Sequence, residues 1–146
     1  MEQLEYQKGD RYSLVRPCNE GLQTITAEYF FQVYDREPLT LEGLCFDRNG
    51  DLYFVSTAGY TVFKLEMQTK KLSVVFHEDG VRTTAVKIHK DGRLFLCCLN
   101  DKKAGGILSM NPDGTDVRVI VKGYSADDMV FDSKGGFYFT HYVGDF

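Results

Sequence analysis

Leu41-Glu42-Gly43-Leu44-Cys45-Phe46-Asp47-Arg48-Asn49-Gly50-Asp51-Leu52-Tyr53-Phe54 is an apolar run, a polar corner closed by glycine, and a second run rich in aromatic residues. That is the pattern of a β-hairpin, with Gly50 supplying the positive φ that the corner needs. The pattern returns at Thr83-Thr84-Ala85-Val86-Lys87-Ile88-His89-Lys90-Asp91-Gly92-Arg93-Leu94-Phe95-Leu96. It returns again at Ala126-Asp127-Asp128-Met129-Val130-Phe131-Asp132-Ser133-Lys134-Gly135-Gly136-Phe137-Tyr138-Phe139. Aligned on Gly50, Gly92 and Gly135, the copies are 42 and then 43 residues apart, the length of one four-stranded propeller blade.

Working outward, each of the first two hairpins is followed by two further strand patterns. After the first come Thr61 to Met67, a turn at Gln68 to Lys71, and Leu72 to Phe76. After the second come Ile107 to Met110, a turn at Asn111-Pro112-Asp113-Gly114, and Val117 to Val121. Four strands joined as a meander make a blade. A WD40 array has a similar period, but its repeat carries tryptophan and this chain has none. The expectation is an all-β chain holding about two and a half blades of a propeller, whereas such rings close with about four to eight. The chain reads as a partial propeller, a fragment of a ring.

Composition narrows the functional classes. No apolar run approaches the roughly eighteen residues of a membrane span, and Met1 to Glu20 lacks the apolar centre of an export signal. The formal net charge is −4, with 17 basic residues scattered and not grouped, which argues against a phosphate-backbone partner such as nucleic acid. Cys18, Cys45, Cys97 and Cys98 show no metal-knuckle or redox spacing, so buried structural thiols in a reducing, cytoplasmic compartment are expected.

The innermost strand of each blade starts beside the central channel, so equivalent positions in successive repeats converge there. Glu42, Thr84 and Asp127 occupy one such position. Two carboxylates and a hydroxyl suit a hard cation such as Ca²⁺, which takes six to eight oxygens. The plainer reading is that the carboxylates accept hydrogen bonds from neighbouring strand amides. Glu42 stands between Leu41 and Gly43-Leu44 in an otherwise apolar strand, where a carboxylate is costly without a partner.

Leu41-Glu42-Gly43-Leu44, Lys87-Ile88-His89-Lys90-Asp91-Gly92-Arg93-Leu94-Phe95 and Asp127-Asp128-Met129-Val130-Phe131-Asp132 through Phe139-Thr140 closely resemble lactonases of the gluconolactonase, regucalcin and luciferin-regenerating-enzyme family. The likeness runs from near Leu22 to Thr140. It implies a six-bladed propeller of which residues 22–146 form the N-terminal portion, behind a polar segment at 1–21. It implies hydrolysis of lactone esters with Ca²⁺, or another divalent cation, in the central channel. Glu42 and Asp127 match two of the family's metal ligands. The remaining ligands, an asparagine and an aspartate that is also the acid/base, belong to later blades, so no catalytic residue is expected within this chain and activity from it alone is not expected.

The chain also departs from the family. Relatives hold a second, structural calcium between two loops that correspond to Lys102-Lys103-Ala104-Gly105-Gly106 and Lys122-Gly123-Tyr124-Ser125-Ala126. Both are shorter here, only Gly105 and Tyr124 still match, and Lys103 and Lys122 would repel a dication. Loss of that site is expected, with the loops ordered by hydrogen bonds and packing. His141 stands where relatives have aspartate and is expected to have no catalytic role. Ile25 to Tyr34 would close the ring in the intact family; here it is expected to be free to pair with Phe137 to Thr140 of another copy, giving self-association. Two functions stand side by side: the front half of a calcium-dependent lactonase whose partner is a small lactone, and a non-enzymatic propeller segment acting as an interaction surface.

Overall fold

The computed structural model describes residues 28–34 and 39–143. The polar segment 1–21, Cys18 and Ile25 to Ala27 lie outside the described residues. The chain divides into one unit at 1–30 and another at 31–146, and the strands all belong to the second.

That unit is built of ten strands with no helix among the described residues: β1 (Leu41–Phe46), β2 (Leu52–Ser56), β3 (Thr61–Leu65), β4 (Leu72–His77), β5 (Thr83–Ile88), β6 (Leu94–Cys98), β7 (Gly106–Met110), β8 (Arg118–Lys122), β9 (Ala126–Phe131) and β10 (Phe137–His141). They form three antiparallel sheets with the orders β1-β2-β3-β4, β5-β6-β7-β8 and β9-β10. Two complete blades and a hairpin of a third are therefore present, open and not closed into a ring. The strands expected at 61–67 and 107–110 are observed at Thr61–Leu65 and Gly106–Met110.

The glycine corners form as the sequence requires. Gly50, Gly92 and Gly135 have φ of 84°, 94° and 95°, and the corners close through Gly50 N–H to Asp47 O, Gly92 N–H to His89 O and Gly135 N–H to Asp132 O. In the first and third corners an aspartate secures the loop. Asp47 Oδ1 accepts from Asn49 and Asp51 amides at 2.8 and 3.0 Å, and Asp132 Oδ1 accepts from Lys134 and Gly136 amides at 2.8 Å each. The second corner has His89 in that place. Its ring packs on Phe95 and Phe131, and Asp91 takes over by accepting from the Arg93 amide.

Strand alternation sends one set of side chains into each gap between blades. Tyr53, Val55 and Val62 of the first blade meet Val86, Leu94, Leu96, Cys98 and Met110 of the second. Ala85, Cys97 and Ile107 meet Ala126 and Met129 of the third. The vicinal thiols thus face opposite gaps. Burial pushes Cys97 and Cys98 up to about 12 and Cys45 up to about 11, and all three are free. The far face of the first blade, with Phe54, Phe63 and Leu65, is covered by Phe31 and Val33. Residues 28–34 form no strand. The far face of the third sheet is open: Val130 and Tyr138, paired across the hairpin, are 62% and 70% exposed.

Candidate functional site

β1, β5 and β9 lie side by side at the inner edge of the blades, and each departs from regular pairing near its first residues. The register slips between Glu42 and Cys45 in β1, between Thr83 and Ala85 in β5, and between Ala126 and Met129 opposite Phe139 and His141. Such bulges bend a strand and redirect its side chains. In β1 the bulge includes Gly43 at φ +54°, where an added Cβ would fall on the Ala85 backbone and 2.5 Å from Thr84 O. Only glycine permits β1 to approach β5 this closely.

The strand starts are then sewn to the ends of their neighbours by one recurring bond. Thr57 N–H donates to Thr40 O at 2.9 Å, Leu99 N–H to Arg82 O at 2.9 Å, and Tyr142 N–H to Ser125 O at 2.8 Å. The result is a cavity of about 360 Å³ lined by Glu42, Thr84 and Asp127 together with Thr40, Arg82, Thr57, Leu99, Tyr142 and Ala58. The three residues singled out from the sequence are thus brought to one space. Arg82 and Tyr142 escape the sequence reading. A signal for them exists, because Arg82 shares the repeat position of Thr40, and Tyr142 that of Thr57 and Leu99.

The three are not alike in their bonding. Thr84 is buried, and its hydroxyl is shared between Cys97 O of its own sheet at 3.2 Å and Ala126 O across the gap between blades at 3.1 Å. It ties β5 to the residue preceding Asp127. Glu42 and Asp127 are exposed to the cavity, and among the described residues neither carboxylate has a hydrogen bond or ion pair. Among the described residues, the strand-amide bonds that would make them purely structural are not formed. Asp128, one residue on, does behave structurally: its Oδ1 accepts from Lys87 Nζ at 2.9 Å and from the Met129 amide at 2.8 Å. Arg82 also lines the wall, with its guanidinium paired to Asp101 at 3.4 Å.

Among the described residues no group of three or more His, Cys, Asp or Glu side chains is close enough to hold a metal ion. What is assembled is a two-carboxylate edge with hydroxyls beside it, hard oxygen donors that fit Ca²⁺ in kind and fall short in number.

Gly105 and Tyr124 sit apart from this cavity. Gly105 N–H donates to Asn100 Oδ1 at 3.2 Å, and its carbonyl accepts from Gly123 N–H at 2.9 Å. Tyr124 packs edge-on against Phe139 and His141. His141 Nδ1 lies 3.1 Å from the Ser125 amide nitrogen and 3.3 Å from Ser125 O, so the ring is held against the backbone of this turn.

No family model matches the chain. Curated relatives do. It is 44% identical over 97% of its length to Lactonase drp35 of Staphylococcus saprophyticus and 47% identical over 99% to that of Staphylococcus haemolyticus. The Staphylococcus aureus MW2 protein of the same name is 44% identical over 84%. The chain is a homologue of these lactonases. It spans about half the length of the curated relatives it matches, 45% and 46% for the first two. A selenomethionine-substituted virginiamycin B lyase from Staphylococcus aureus, a β-propeller, matches 69% of this chain and 34% of its own, with a TM-score of 0.56 at 11% identity. That likeness concerns the fold alone, and it agrees with the blades described. The lactonase homology is consistent with the gluconolactonase-type family that the repeat residues resemble.

Proposed function

We propose that this chain is the metal-facing part of a lactone hydrolase of the drp35 type, with Glu42 and Asp127 as two of the ligands of a catalytic Ca²⁺. The observation that carries this is the pair of carboxylates without protein partners among the described residues, on one cavity, at the repeat position that opens the innermost strands, in a chain 44% and 47% identical to lactonases. When bound, the ion would polarise a lactone carbonyl and lower the pKa of water beside it. This chain's own residues contribute binding and placement. Glu42 and Asp127 supply anionic oxygens, Thr84 fixes the height of Asp127 through Ala126 O, and Gly43 lets Glu42 approach. The acid/base aspartate that the resemblance implies belongs to later blades, so turnover by this chain alone is not expected. The three free thiols fit a reducing, cytoplasmic setting.

Calorimetric titration tests the reading. With two carboxylates, Ca²⁺ retains mostly water, and binding weaker than micromolar is expected, abolished by Glu42→Gln or Asp127→Asn. Micromolar or tighter binding that survives both substitutions would overturn the assignment. Calcium-dependent hydrolysis of a simple aromatic lactone by the unaltered chain would overturn its inactivity.

The open face of the third sheet favours a second reading, an interaction surface. Val130 and Tyr138 present adjacent apolar side chains to solvent, and we propose that two copies associate through them. Sedimentation at tens of micromolar separates a monomer from larger species, and Tyr138→Lys should shift the distribution towards monomer.

A further inference from the structure

The gap between the first two blades is closed at one end and open at the other. At the closed end the turn containing Gly114 presses on β4, where an added Cβ would fall on Val75 O. At the other end the sheets are held apart by the connection after β4 and the loop before β7. Between them lies a cavity of about 410 Å³, within the size range of small-molecule sites. Its apolar walls are Val81, Leu108, Val117 and Val119, and Cys98 also lines it; Val121, on its edge, packs its side chain into the neighbouring gap. Gly105 and Gly106 form one side, and a Cβ at Gly106 would collide with Val121 O, so that side stays free of side chains.

The rim decides what kind of molecule fits. Lys103 is held by Glu78 at 2.6 Å, a pair that cancels its own charge. Lys122 also lines the cavity, and among the described residues its ammonium has no carboxylate partner. The rim therefore carries one uncompensated positive charge above an apolar slot. Lys64, by contrast, is paired with Asp51 at 2.9 Å and Asp47 at 3.6 Å.

We propose that this cavity is a binding site for a small apolar carboxylate, of the size of a medium-chain fatty acid, whose tail lies among Leu108, Val117 and Val119 and whose head meets Lys122. The site uses neither Glu42 nor Asp127 and stands or falls independently of the lactonase reading. Burial of the tail supplies affinity, and the rim charge supplies the preference for an acid over an alcohol.

Octanoate and octanol are the probes, added to the isotope-labelled full chain and followed by amide shifts. The expected result is saturable movement of the Gly105, Gly106, Leu108, Val119 and Val121 amides with octanoate, half-complete on the order of 0.1 to 1 mM for a ligand of about ten non-hydrogen atoms. Octanol should bind the same residues about two- to fivefold more weakly, the usual value of one exposed charge pair, and Lys122→Gln should remove the difference. Val119→Glu, at a site exposed enough to tolerate it, should weaken octanoate more than octanol. Equal binding of acid and alcohol by the unaltered chain, shifts centred elsewhere, or octanoate binding unchanged in both variants would overturn the proposal.

Discussion

Carboxylates stand at both ends of the innermost strands, and the two ends treat them differently. At the corners after β1 and β9, Asp47 and Asp132 each accept two backbone amides through one oxygen. At the strand starts, Glu42 and Asp127 line a cavity and accept none among the described residues. Residue type and repeat register are shared features, so burial pattern or propensity does not separate the ends. Bonding does. A carboxylate whose lone pairs are used by the fold is part of the fold, and Glu42 and Asp127 lack that engagement among the described residues.

The largest way to break this contrast is at Gly43. A side chain there meets both a left-handed φ and the backbone of β5. Gly43→Val should cost on the order of 3 to 5 kcal/mol, combining strain at positive φ with overpacking against an immovable neighbour. Gly50 also has positive φ, but nothing lies within 4 Å of its Cβ direction, so Gly50→Ala should cost about 1 kcal/mol. Urea midpoints of the two variants measure the difference. Equal losses would mean that β1 and β5 are not in close contact.

Thr84 comes next. Its hydroxyl is the buried donor that links β5 to β9, and Thr84→Val should lose about 1 to 2 kcal/mol while Thr84→Ser loses less. At the corner, Asp132→Ala removes the acceptor of two amides in an exposed turn and should lose about 1 kcal/mol, by analogy with helix caps. Asp128→Asn should fall between Asp132→Ala and no effect, because its pairing with Lys87 is partly exposed.

The blades, their order and their glycine corners were legible because period-2 alternation and a 42-residue repeat are properties of the chain itself. The meeting of Glu42, Thr84 and Asp127 came from the same repeat. Three features were not legible. The bulges depend on how closely neighbouring blades approach, which Gly43 hints at and Thr84 and Asp127 do not. The division of labour between Asp127 and Asp128 depends on Lys87, on another strand. The inward turn of the Thr84 hydroxyl depends on a carbonyl 42 residues away. In each case the deciding partner is distant in sequence.

Acid reads a separate set of carboxylates. Asp51, Asp116 and Asp113 titrate low: Asp51 through its hydrogen bond with Lys64, Asp116 through Arg118 and then Arg93, and Asp113 through the Thr115 hydroxyl. Their folded pKa lies below the unfolded value, so their stabilisation is fully present above the ordinary carboxylate range and is lost as pH falls through the folded values. Melting temperature should therefore hold steady down to about pH 4 and drop below it. Since these groups are exposed, salt should flatten the drop. A melting temperature independent of pH between about 4 and 2 would contradict the pairing.

The smallest expected effect is the most telling. Asp127→Asn removes a charge that has no protein partner among the described residues and that lines the same cavity as Glu42. The fold loses no hydrogen bond, and the mutual repulsion of two carboxylates is relieved. Stability in metal-free buffer should change by no more than about 0.5 kcal/mol, in either direction. Millimolar Ca²⁺ should then raise the melting temperature of the unaltered chain slightly and leave that of the variant where it was, because an ion stabilises only the state that binds it. If Asp127→Asn instead costs as much as Asp132→Ala, the carboxylate is engaged by the fold, and the distinction between the two ends of the strand does not hold.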